Sequence, residues 1–380
     1  MRLTKDNTLR GVTIETQRHE AAILNDTRVV DVGTLRLEDV TTVGSVYLVA
    51  DENLTSLRVE VDGLRIKDAD TRGRVQRPHG YGVDVLQGGF TLWNRQDDPA
   101  VVVTATIDDL AVGTPFTPVR GSGVFVAGHG DEEGRGDGGV LRIDRLYTGD
   151  IVTDGGIAPG TADLISAGVF VVSGAEVEKV VNGGVVATHG QNDMVLDNWG
   201  TVQEWAAERA VISTGPSGIG FVNFGDIGEL RVEGPIVTVG AGARGYNLYD
   251  GSLKKATFQE MRTHGDGSVG VQISRPSGPI EIRGDLATTG GKGTSLVKGV
   301  QMELEAIAFS VQEGGELEGL TVGGEIVTQG EDLVTYEVQK GGSVMTVSVG
   351  RGIRAHGARS KATSIEGENP SFDGIDVSEA

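Results

Sequence analysis

Six phrases decide the fold: VATHG (186–190), VISTG (211–215), IVTVG (236–240), MRTHG (261–265), LATTG (286–290) and IVTQG (326–330). Five follow one another at intervals of 25 residues, and the sixth joins the series once 291–305 is set aside as an insertion. Aligning the units 166–190, 191–215, 216–240, 241–265, 266–290 and 306–330 puts glycine in column 25 of all six. Column 21 reads Val186, Val211, Ile236, Met261, Leu286, Ile326, and column 6 reads Val171, Leu196, Phe221, Tyr246, Val271, Val311. Both columns therefore face a core. Column 4 has one polar exception, Arg244, and column 15 has one, Lys255. Column 23 is Ser213 in one unit and threonine in the other five, and its parity predicts an inward hydrogen-bonded ladder.

Within each unit the apolar columns fall into three short stretches with period-two alternation, separated by glycine-rich turns. A unit this short cannot bury its own apolar face without stacked neighbours, so it implies a solenoid. Three strands per 25 residues is too little for a propeller blade and contains no helix for a leucine-rich repeat. The remaining architecture is an all-β, right-handed parallel β-helix, its hand taken from the general preference of parallel crossovers. By period and alternation over roughly 155–357 the sequence resembles the right-handed parallel β-helix, or pectate-lyase-like, superfamily. The resemblance implies stacked coils with glycine at the corners supplying positive φ. It extends to no catalytic motif.

Composition agrees with this reading. Glycine numbers 60 of 380 residues, cysteine is absent, and 38% of residues are apolar. That glycine content without a Gly-X-Y period excludes collagen, and the apolar content excludes a disordered linker. Thirty-three Lys and Arg against 54 Asp and Glu leave a net charge of −21, which argues against nucleic-acid or anionic-membrane partners. No apolar run is long enough to span a bilayer, and the first 20 residues lack the apolar stretch of a secretory leader, so the expected place is the cytoplasm or an assembly unless a leader has been removed. Without cysteine there are no disulfides or thiolate sites.

The expected organisation is one β-helix domain over 1–357, irregular in 1–154 and regular in 155–357 with insertions at 156–165 and 291–305. Residues 358–380 form a polar tail or cap. Residues 122–155 read as a single coil interrupted by GHGDEEGRGDGG (128–139).

Candidate chemistry is sparse. Column 9 places Trp199, Phe224 and Tyr249 on three consecutive units. Facing out, they form an aromatic row for stacking on sugar rings, with Asp197, Asn247 and Arg275 as polar contacts. Facing in, after a parity slip at Gly200 and Gly225, they form an internal stack. Asp131, Glu132, Glu133 and Asp137 supply oxygens for a Ca2+ ion, although the loop matches no EF-hand or nonapeptide repeat. RPHGYGVDV (77–85) gathers Arg77, His79, Tyr81 and Asp84, a set suited to proton abstraction as well as to a structural turn. Asp193 and Asp197 share a coil but belong to no stacked carboxylate trio.

These features favour a non-catalytic scaffold or binding module, for a polysaccharide or a protein in a larger assembly, over the alternative of a polysaccharide lyase, epimerase or hydrolase. Homo-oligomers are a further expectation, since neither end shows a capping helix.

Overall fold

In the computed structural model, residues 1–51, 53–297 and 300–379 are described. They form strands, turns and bends with no helix. The chain divides into two compact units, Met1–Trp205 and Ala206–Ala380.

In the first unit, one sheet runs through Arg2–Leu3, Ala21–Asn25, Ser45–Ala50, Gly88–Asn94, Ser122–Ala127, Leu164–Val171 and Asp193–Asn198, each strand parallel to the next. Another sheet consists of the long parallel strands Asp31–Val43, Ser56–Asp68, Val102–Val112 and Val140–Asp154. Three of these long strands bend at a residue with positive φ, Asp39, Gly63 or Asp109, so one continuous strand covers two faces. After Val140–Asp154 the same course is split into Ala175–Asn182 and Val186–Thr188. Alternate residues such as Leu35, Leu37, Val59 and Ile107 point inward and are fully buried. The partner steps are uneven, Val46 to Phe90 to Val124 to Val169, because residues 71–87 and 128–139 leave the coil between strands. Within 122–155 the strands Ser122–Ala127 and Val140–Asp154 flank residues 128–139.

In the second unit the 25-residue spacing holds along one row as far as Leu286, while another face steps by 26 residues from Leu230 to Ala256 and by 24 from Ala256 to Ile280. Val211, Ile236, Met261, Leu286 and Ile326 stack in register, all fully buried, and so do Ser213, Thr238, Thr263, Thr288 and Thr328. On another face Phe221, Tyr246 and Val271 are successive partners. The insertion at 291–305 is an antiparallel hairpin, Lys292–Val297 with Val300–Glu305, whose tip at 298–299 lies outside the described residues. The segment beyond 357 contributes two strands, Val377–Glu379, parallel to Gly352–Ala355, and before it Lys361–Ile365, parallel to Val334–Val338. Between the two it crosses the end of the unit, where Asn369 accepts from the Tyr336 hydroxyl at 2.7 Å and Phe372 meets the same ring edge-on at 5.4 Å.

Three column readings are corrected and one holds. Column 6 slips by two at its ends, where Val169 pairs with Leu196 and Phe309 with Val271, so Val171 and Val311 are not in that row. The polar exception at Lys255 disappears, since the partner of Leu230 is Ala256 and Lys255 faces Glu229. Arg244 is a true exception, with its Nη2 donating to Ser295 Oγ of the hairpin at 2.6 Å. The threonine row is inward, but its hydroxyls do not link into a ladder. Thr263 donates to the Ser268 carbonyl at 3.2 Å and Thr288 to that of Ala306 at 3.0 Å, so each fastens the turn that follows its own strand.

Column 25 is glycine for a reason other than positive φ. A Cβ on Gly240 would stand 2.0 Å from the Gly215 carbonyl oxygen, and one on Gly290 1.9 Å from that of Gly265. Backbones of successive coils touch there. The left-handed residue lies two positions later, at Asn192, Ser217, Gly242, Gly267, Asp332 and Arg359.

Candidate functional site

The first unit carries an open groove of about 530 Å³ between Val75–His79 and Gly128–Glu132, with Trp93, Arg95 and Ser173 among the rest of its lining. Both walls are the segments that leave the coil. Residues 71–87 lie against the outer side of the sheet: the Arg74 guanidinium is 3.8 Å from the centre of the Tyr47 ring and donates to Ser45 Oγ at 2.9 Å. Burial pulls the Arg74 pKa down, and the contact with Tyr47 opposes it. Further along, His79–Gly80 and Val83–Val85 form an antiparallel hairpin whose two turn residues, Tyr81 and Gly82, both have positive φ, the turn that matches strand twist. Val83–Val85 also pairs in parallel with Leu164–Ile165, which fixes the hairpin to the sheet.

That hairpin places His79 directly opposite Asp84, and His79 Nδ1 lies 2.8 Å from Asp84 Oδ1, leaving Nε2 for a ligand. On the opposite wall His129 is flanked by two carboxylates, Asp137 Oδ1 at 2.6 Å from Nδ1 and Asp97 Oδ1 at 3.0 Å from Nε2. Trp93 Nε1 donates to the Gly128 carbonyl at 3.1 Å, which ties the loop to the sheet, and the Arg95 guanidinium is 5.3 Å from the Trp93 ring centre while its Nε donates to Asp51 at 2.9 Å.

Beneath the walls runs a chain of edge-on aromatic contacts, Trp93 to Phe125 at 5.6 Å, Phe125 to Phe170 at 6.5 Å, Phe170 to Trp199 at 5.0 Å and Trp199 to Tyr81 at 5.1 Å. Phe125 and Phe170 have outward parity yet are fully buried, because the covering segment replaces solvent.

The expected outward aromatic row is therefore corrected. Trp199 and Tyr249 are 4% and 5% exposed, and Phe224, half-buried, stacks on Tyr249 with ring centres 5.2 Å apart. These rings offer no open face to a sugar. Asp197 and Asn247 are fully buried, and Arg275, exposed, donates to Asp250 at 2.8 Å. Asp197, Trp199 and the groove belong to the first unit, whereas Phe224, Tyr249, Asn247 and Arg275 belong to the second.

Burial drives the Asp197 carboxyl well above the ordinary range, and the nearby Trp199 indole and Asn198 amide only partly oppose it. Asp193 is also fully buried. Its Oδ2 accepts from the Gly155 and Gly190 amides at 2.9 and 2.7 Å, its Oδ1 takes the Ser166 hydroxyl, and burial still pushes its pKa up to about 6. Neither carboxyl is accessible to a substrate.

In the 128–139 loop Asp131 Oδ1 accepts from the Arg135 and Glu133 amides at 2.8 and 3.0 Å, and Asp137 is held by His129. Burial works against the Asp131 charge, but the Arg135 amide and guanidinium together hold its pKa below the usual value. Among the described residues no three His, Cys, Asp or Glu side chains gather as a metal site. Within the loop Asp131 and Asp137 are engaged by these amides and by His129. A different hollow of about 430 Å³, lined by Arg36, Glu60, Asp108 and Arg145, is a lattice in which Arg36 binds Glu60 and Arg145 binds Asp108.

The sequence shows the RPHGYGVDV cluster and the acidic loop but not their meeting. A Cβ on Gly134 would lie 2.6 Å from the Tyr81 ring, so the two segments interlock through a glycine 53 residues away in the chain. Protein-family models, curated proteins and solved structures were all compared with this chain, and none matches it.

Proposed function

We propose that the chain is a right-handed parallel β-helix of the pectate-lyase-like kind that acts as a non-catalytic carbohydrate-binding module, with the groove between Val75–His79 and Gly128–Glu132 as its ligand seat. Parallel in-register partners with three strand stretches per coil support the solenoid, and the hand follows from the usual crossover preference. The observation that carries the binding reading is the groove itself: two arginines and two imidazoles converge on one open, polar hollow at the outer side of the sheet.

A glycan-array screen of the intact protein, with and without Ca2+, tests it. Binding that is lost in His79→Ala and Arg95→Ala variants of unchanged melting temperature supports the reading; absence of any glycan binding overturns it. One observation favours a second reading. An imidazole oriented through Nδ1 by a carboxylate, as in His79 and Asp84, is an arrangement that serves general-base catalysis, so a carbohydrate-active enzyme is the alternative. Product analysis of every glycan that binds separates the two, since only an enzyme shortens or epimerises the chain.

A further inference from the structure

In a chain with a net charge of −21 many arginines find carboxylates: Arg72 binds Asp70, Arg95 binds Asp51, Arg120 binds Asp154 and Arg135 binds Asp131, while Arg74 lies on the Tyr47 ring and donates to Ser45. Among the described residues Arg77 has neither a carboxylate nor a ring. Its Nη2 donates to the Arg72 carbonyl at 3.1 Å, and its Nε is shut off from water with no acceptor among the described residues. A buried donor without an acceptor is a place where a ligand oxygen gains a hydrogen bond that water does not supply. Arg77 lines the groove, two residues from His79. Of the carboxylates in the lining, Asp51 and Asp131 are each tied to an arginine, and Glu132 is exposed.

We infer that Arg77 and His79 form a seat for an oxyanion carried by the saccharide, a sulfate, phosphate or carboxylate group. This deepens the glycan-binding reading and rests on it for the identity of the carrier, but not for the anion itself. The guanidinium supplies the fixed positive charge, and His79, as an imidazolium whose Nδ1–H is held by Asp84, supplies the Nε2–H donor. Charge-assisted hydrogen bonds of this type are the strong ones, and the walls limit solvent screening.

The test uses the full chain at low ionic strength and four probes: sodium sulfate, a sulfated galactan tetrasaccharide, a hexuronate tetrasaccharide, and the unsulfated neutral galactan tetrasaccharide. The expected result is that sulfate shifts the His79 ring signals in NMR spectra, and that at least one acidic tetrasaccharide binds at least ~10-fold more tightly than the neutral one. The stronger of the two acidic probes identifies the group. Arg77→Gln should remove the sulfate response and bring the acidic-over-neutral affinity ratio below about twofold. Should that variant melt early, Arg77→Lys, which keeps the charge and loses the planar fork, should weaken the sulfate response while retaining part of it. Equal binding of acidic and neutral probes with no sulfate response overturns the seat and leaves the glycan reading intact. A sulfate response that Arg77→Gln abolishes, with no saccharide bound, upholds the seat and removes the glycan reading.

Discussion

Gly265 lies so close to Gly240 in the neighbouring coil that a methyl group on its Cα would stand 2.0 Å from the Gly240 carbonyl oxygen. No rotamer relieves such a clash, because both atoms are backbone. Gly265→Ala should force the coils apart and cost about 1–3 kcal/mol, the range of an overpacked core. Urea denaturation checks this; a midpoint equal to that of the wild type contradicts the close stacking of column 25.

Ile236 and its register partners Val211 and Met261 are fully buried. Ile236→Asp places an unpaired carboxylate among them, and we expect a loss of more than ~4 kcal/mol, seen as a failure to accumulate soluble protein or as a collapse of the thermal midpoint. A soluble variant of ordinary stability contradicts the inward assignment of column 21.

Trp199 touches Phe170 and Tyr81 and is nearly inaccessible. Trp199→Ala should destabilise by about 3–5 kcal/mol, as large-to-small changes of buried aromatics do. A surface stacking residue would behave differently, losing ligand with little change in melting. Differential scanning calorimetry decides between the two.

Asp193 links stability to pH. Its folded pKa, about 6, lies above the unfolded value of 3.8, so between those values the folded chain binds more protons than the unfolded one. This contribution is fully favourable below pH 4, is lost as pH rises towards 6, and is absent at pH 7, a change of roughly 3 kcal/mol at 1.36 kcal/mol per unit. The wild type should therefore gain stability relative to Asp193→Asn as pH falls from 7 to 5. Denaturation midpoints of both proteins at pH 5, 6 and 7 test the sign; a constant difference contradicts it.

The repeat was legible because a parallel ladder imposes the same demand on every coil. Column 21 must be apolar wherever it stacks, and column 25 must lack a side chain wherever carbonyls approach it, so both appear as columns. The left-handed position was harder to see. Asn192, Ser217, Gly242, Gly267, Asp332 and Arg359 share a backbone conformation but little chemistry, and Arg359 is not a residue type a turn commonly selects. Small slips at Val169 and Phe309 preserve parity and therefore leave no trace in an apolar pattern.

The amino-acid sequence by itself determined the all-strand class, the coil period and the inward rows, because these follow from local alternation repeated at a fixed interval. Tertiary structure alone decided which outward positions meet water. Phe125, Phe170 and Asp197 have outward parity but are buried, and Asp97, His129 and Asp137 meet across a loop. Period-two alternation reports the side of a strand on which a residue lies; it carries no information about a distant segment, such as 71–87, folding over that side.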